Sequence, residues 1–161
     1  MADDAVAGTA AASTTSAGTT CSITGFQATM LQAINTRRAT ARSCGTSGSF
    51  AATTALAWNA KLFSAAAAHS GEMARLGRTE HQLTGEAALG ARITAAGYGW
   101  SAVAENIASG YGSIDTVMSG WMDSAGHCAN VMNPALTEVA VSCVAASDGT
   151  LYWTMDLAAP R

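Results

Sequence analysis

Charge is scarce in this 161-residue chain. Asp, Glu, Lys and Arg make up only 12% of it, and Lys61 is the single lysine. The arginines are scattered and the formal net charge is −3. No basic patch exists to grip phosphates, so nucleic acid is excluded as an expected partner, and so is an anionic membrane surface. No run of eighteen apolar residues occurs, so no segment reads as a membrane-spanning helix. None of the four cysteines forms a C-x-x-C pair, which argues against structural zinc and for disulfides in an oxidising compartment. Met1-Ala2-Asp3-Asp4 has neither a basic nor an apolar leader region, so a secreted or periplasmic form is one whose signal has been removed. Gly18-Thr19-Thr20 before Cys21 lacks the leucine and small-residue pattern of a lipoprotein box, so no lipid anchor is expected.

What is present is apolar: 49% of residues, enough for the core of one domain. Residues 1–22 are Ala, Thr, Ser and Gly with two early acids, and read as a flexible tether before a domain at 23–161. Phe26, Met30, Leu31 and Ile34 mark an amphipathic helix ending near Arg37-Arg38. Cys44 to Ser49 reads as a loop. Asn59 is a suitable N-cap for a helix with apolar period Leu62, Ala66, His69, Met73, Leu76, closed by Gly77. His69 falls on its apolar face and reads as a buried, hydrogen-bonded histidine rather than a ligand. A short helix is expected over Glu86–Ala96, with Leu89 and Ile93 inward. Glu105-Asn106-Ile107 reads as extended, and Ser113 caps a helix running to about Met122. Ser124 is placed to cap a further turn holding His127. Thr137 to Val144 alternates as a strand, Ser147-Asp148-Gly149 turns, and Leu151, Trp153, Met155 and Leu157 share one face of a partner strand. The class is α+β, helices packed on a small, largely antiparallel sheet.

The four cysteines allow three pairings. The sequential one, Cys21–Cys44 with Cys128–Cys143, is the expectation. A loop of the length between Cys128 and Cys143 contributes about 3 kcal/mol in the chain-entropy model.

Most residues that carry chemistry lie between Ala104 and Val144. Ala104-Glu105-Asn106, then Gly120-Trp121-Met122-Asp123-Ser124-Ala125-Gly126-His127, then Asn133-Pro134 and Thr137-Glu138-Val139 stand in an order and spacing that resembles the bacterial branch of the CAP superfamily, also called SCP domains. The resemblance extends to Leu56-Ala57-Trp58-Asn59, to residues 69–74 and to Tyr152-Trp153-Thr154, and covers about 26 to 158. It implies a three-layer α-β-α sandwich and a central cleft lined by His81, Glu105 and His127, a set that binds a divalent metal in many members. Zn²⁺ suits such a set, and no organic cofactor is implied. Asp123, Ser124 and Glu138 are additional cleft candidates. Glu138 also reads as a loop anchor, and Asp123 stands where other members place a longer glutamate.

Three functions are compatible with these residues. One is a secreted binding module for a lipid, sterol, glycan or extracellular protein. Another is a metal-dependent hydrolase in which Glu105 and His127 are catalytic. The third is a structural domain whose polar cluster holds the fold. Cys128 beside His127 is consumed by a disulfide, and Ser124 lacks a nucleophile elbow, so a serine or cysteine hydrolase is disfavoured. Trp121 and Trp153 read as core rather than as a sugar platform. The chain is expected to be a monomer.

Overall fold

The computed structural model describes residues 16–161, and its elements begin where the sequence changes character. The apolar stripe after Gly25 is helix α1, Phe26–Arg38. It is followed by a small hairpin of strands β1, Arg42–Ser43, and β2, Ser49–Phe50; the expected loop from Cys44 is its turn, ending one residue sooner than expected. Strand β3, Ala57–Trp58, leads directly into α2, Ala60–Leu76. Asn59 caps α2 as expected, its side chain accepting from the Lys61 and Leu62 amides, and Gly77 closes it in the left-handed region. Leu76, expected on the inner face, is 39% exposed because the helix ends there, beyond the sheet it covers.

The next helix, α3, spans only Leu89–Ala95. Its expected start at Glu86 fails for a specific reason: the Glu86 amide donates to Leu83 O, and its carboxylate accepts from the Leu83 amide. Glu86 therefore locks a loop. Strand β4, Trp100–Ser109, carries Glu105, Asn106 and Ile107. Helix α4, Ile114–Met122, begins with a capping box between Ser113 and Thr116. Helix α5, Ala125–Met132, carries His127; Ser124 holds its N-cap position without a side-chain cap bond. Strands β5, Glu138–Ala145, and β6, Leu151–Pro160, complete the chain.

The main sheet has strand order β3-β5-β6-β4; only the β3–β5 pair is parallel. Period-2 alternation divides its faces. Val139, Val141, Trp153, Met155 and Leu157 meet α1 and α4 in the larger core, where Trp121 and Trp153 are 1% and 0% exposed. Ala140 and Ala158 meet α2 and α3 through Leu62, Phe63 and Ile93. Both faces are covered, giving the α-β-α sandwich, with β4 at an edge.

Arg38 is fully buried where the helix pattern reads as a solvent-facing end. Its guanidinium donates to the carbonyls of Thr54, Val131, Asn133 and Leu136, tying α1 to the segment that leads into β5.

The disulfides differ from the sequential expectation. They join Cys21 to Cys143 and Cys44 to Cys128. Cys143 lies in β5 and Thr20 bridges to it in parallel, which sets Cys21 beside it. Cys44 starts the hairpin turn that rests on α5, within reach of Cys128. The loops closed are long, with separations of 122 and 84 residues, worth about 4.5–5 kcal/mol each in the chain-entropy model. The boundary expected at 22/23 also moves. The Ser142 hydroxyl donates to Thr19 O, and the Cys21 amide to Cys143 O, so residues 19–22 are part of the folded unit. Residues 1–15 of the expected tether lie outside the described residues.

Candidate functional site

Glu105 is the centre of the polar cluster. It sits on β4 facing α2 and α3, and its side chain is only 2% exposed. Arg92 of α3 reaches it with two parallel bonds, Nη1 to Oε2 at 3.0 Å and Nη2 to Oε1 at 3.1 Å. The same guanidinium donates to His81 O at 2.9 Å and to Ala87 O at 3.1 Å. Helix α3 is held to β4 by the Trp100 indole N–H, which donates to Gly90 O at 3.1 Å. A Cβ at Gly90 would stand 2.6 Å from the Trp100 ring, so only glycine allows that approach.

His81 lies in the loop before α3, with its side chain 58% exposed. Its Nδ1 is 3.0 Å from Glu105 Oε1. Burial pushes the Glu105 carboxyl up, but hydrogen bonds from His81, Asp156 and Arg92, with the Arg92 charge, outweigh it and hold the group at about 2. Glu105 is therefore an anion at neutral pH, and His81 Nδ1 is the donor. Nε2 of His81 is then the atom left for a ligand.

His69 behaves as its position on α2 implies. It is fully buried, with Nδ1 2.7 Å from Glu86 Oε2 and Nε2 2.8 Å from Glu80 O. Both ring nitrogens have partners, so it is not offered as a ligand.

Asp156, on β6 directly opposite Glu105, is fully buried. Neither of its oxygens has a conventional donor within reach. Burial first, then the Glu105 charge, pushes its carboxyl well above the usual range. A proton held on Asp156 removes the repulsion between two buried carboxylates and leaves Glu105 the anion. Sequence reasoning missed Arg92 and Asp156. The signal available for Asp156 was its strand parity: it falls with Tyr152 and Thr154 on the face opposite Trp153 and Met155.

His127 enters from the other layer. Asn106 faces α5 and donates to His127 O at 3.2 Å, and Asn130 donates to Asn106 Oδ1 at 2.9 Å. Because β4 is an edge strand, groups from the two helical layers can meet around it. His127 is half-buried; burial, then the charge of His81, lowers its pKa.

The other candidates lie elsewhere. Asp123 is exposed at the C-cap of α4, and Ser124 starts α5; neither bonds to His81, Glu105 or His127 among the described residues. Glu138 accepts from Tyr98 Oη at 2.6 Å and from Asn59 Nδ2 at 3.3 Å, and lines a separate cavity. All four cysteines are paired, so none is a nucleophile.

A divalent cation on His81, Glu105 and His127 together does not fit this arrangement. Both Glu105 oxygens face the Arg92 guanidinium, which already fills the place of a cation. Among the described residues, no group of three or more His, Cys, Asp or Glu is set to hold a metal ion. What remains is the His81 imidazole with Glu105 behind it, and His127 held through its carbonyl by Asn106 on the neighbouring strand position.

Among the described residues, no helix is long and apolar enough to cross a membrane. None of the curated proteins matches the chain. Solved structures do. An extracellular SCP-domain protein of Bacillus anthracis is 25% identical, with a TM-score of 0.59 over 66% of this chain and 34% of its own. This chain thus spans about a third of that protein's length. An outer surface protein of Borrelia burgdorferi is 16% identical, with a TM-score of 0.63 over 68% of this chain and 80% of its own. A cysteine-rich secretory protein of Staphylococcus aureus is 15% identical, with a TM-score of 0.57 over 84% of this chain and 40% of its own. The last two share the fold. The model of the cysteine-rich secretory protein family matches residues 31–157, most of the described fold. The chain is a member of that family, the CAP family.

Proposed function

We propose that this CAP domain works outside the cytoplasm as a binding module rather than as a hydrolase. The observation that carries this is the double hydrogen bond from Arg92 to Glu105. A carboxylate held at about 2 and clamped by a guanidinium takes no proton near neutral pH, so it is a poor general base. Glu105 instead orients His81, the carboxylate-behind-imidazole arrangement that supports ligand-bearing histidines. The cleft offers His81 Nε2 and the half-buried His127 to a small polar ligand or to a divalent ion such as Zn²⁺. A bound ion would supply positive charge for an anionic or hydroxyl-bearing ligand. The two disulfides favour an extracellular or periplasmic setting.

The test is calorimetric titration of Zn²⁺ into chelator-treated protein, alongside a His81→Ala, His127→Ala double variant of checked fold. One-to-one binding lost in the double variant supports the cleft. Equal binding in both, or none in either, sinks it. Zn²⁺-dependent turnover of an ester or peptide substrate, lost in Glu105→Gln, would restore the hydrolase.

A purely structural role is the second reading, favoured by the burial of His69, Glu105 and Asp156. A large fall in Tm for Glu105→Leu, with no Zn²⁺ or ligand binding by the parent, would favour it.

A further inference from the structure

A cavity of about 360 Å³ opens where the start of α2 meets the starts of β4 and β5, lined by Lys61, Ala60, Tyr98, Glu138 and the glycines 97 and 99 among others. The imidazole cleft shares none of these residues. Its volume lies at the small end of ligand sites, about 300–1,000 Å³.

The chemistry of its wall is divided. Glu138 Oε1 accepts from Tyr98 and Asn59, and Oε2 has no donor among the described residues. That carboxylate is fixed from two directions. Tyr98 is only 5% exposed, and Asn59 is held by its own capping bonds to the Lys61 and Leu62 amides. The same cavity is lined by the exposed Lys61, whose stem runs over Gly97: a Cβ there would lie 3.7 Å from Cδ and 3.8 Å from Cε. Lys61 makes no ion pair with any described residue. The Ala60 amide, first in α2, has no acceptor among the described residues either, since the Asn59 cap serves the next two.

We propose that this cavity is a binding site for a small zwitterion of the free amino-acid type, its ammonium on Glu138 Oε2 and its carboxylate on Lys61 and the Ala60 amide. A bonded carboxylate and an exposed lysine lining one cavity match a molecule carrying both charges. A neutral sugar would leave the Glu138 and Lys61 charges unanswered, and a simple anion would face the Glu138 carboxylate unpaired.

The test is calorimetric titration of a panel of free L-amino acids into the full chain. For the tightest binder, its N-acetyl and amide derivatives are titrated as well. Glu138→Gln keeps an acceptor for Tyr98 and Asn59 while removing the charge, and Lys61→Met keeps the stem. The expected result is one-to-one binding weakened roughly tenfold or more by each variant and by each blocked derivative. The His81→Ala, His127→Ala double variant is expected to bind as the parent does. Absence of binding by every amino acid would overturn the proposal. So would binding unchanged in Glu138→Gln, or a neutral sugar bound as tightly as the zwitterion.

Discussion

Replacing Arg92 with Met exposes the energetics of the cluster. The change keeps most of the side-chain length and removes the guanidinium, which is 9% exposed and makes bonds to Glu105, His81 O and Ala87 O. Glu105 keeps His81, Asp156 and, at 3.9 Å, the His69 ring, but loses the guanidinium that bonds both of its oxygens. In the parent, holding Glu105 at about 2 rather than its ordinary 4.5 corresponds to roughly 3 kcal/mol. Removing one partner of a buried pair costs about 3–5 kcal/mol, because the other charge stays buried. That depression is shared among His81, Asp156 and Arg92, so the buried-pair figure sets the expectation: a loss of about 3–5 kcal/mol at pH 7. The pH dependence carries the sign. Glu105 is depressed in the parent, so its contribution is full above about 4.5 and is lost as pH falls toward about 2. In the variant, burial is opposed by fewer partners, Glu105 protonates more readily, and acid relieves the unpaired charge. The gap between variant and parent therefore narrows between pH 7 and pH 4. Urea unfolding with intact disulfides, at both pH values, measures it. A gap below about 1 kcal/mol at pH 7, or one that does not change with pH, would refute the reasoning.

Arg38→Met is expected to destabilise by about 3 kcal/mol or more, since it strips four buried or part-buried carbonyls of their donor; a loss under about 1 kcal/mol in urea would contradict this. Asp156→Asn keeps one donor toward Glu105 and abolishes the need to hold a proton. Because Asp156 is pushed up in the folded protein, the parent loses stability as pH rises above the ordinary carboxyl range. The variant should therefore gain in Tm relative to the parent on going from pH 4 to pH 8; a constant difference would show that Asp156 is ionised in both. Mass mapping of a non-reduced digest should recover the pairs Cys21–Cys143 and Cys44–Cys128, and recovery of Cys21–Cys44 would contradict the disposition of β5 and α5.

The elements with strong periods were legible in the sequence. Leu62, Ala66, His69 and Met73 define one buried face of α2, and the Ser113 and Asn59 caps stand where their side chains can answer orphan amides. The strand pair was legible because Trp153, Met155 and Leu157 alternate. The same alternation hid Asp156: a polar residue between apolar ones reads as solvent-facing, whereas α2 and α3 cover that face of the sheet. Arg92 and Arg38 were hidden for a related reason. An arginine in a last turn reads as a dipole partner on the surface, and only the tertiary arrangement turns it inward onto carbonyls or Glu105. The disulfide pairing was not legible because loop-closure entropy distinguishes pairings weakly, while the docking of residues 19–22 on β5 decides them. In the cleft, His81 and Glu105 do meet, as the family pattern implied, but the residue that defines what Glu105 can do is Arg92, which lies outside the motif.

The central claim is that Glu105 stands behind His81 and is not itself a ligand. It is tested most directly by following imidazole nitrogens and the Glu105 side-chain carboxyl carbon by NMR during a Zn²⁺ titration. The account predicts that His81 Nε2 and His127 move together and saturate at one equivalent, while His69 and the Glu105 carboxyl stay in place. Direct displacement of the Glu105 signal with loss of its Arg92 bonds, or movement of neither His81 nor His127, would contradict it.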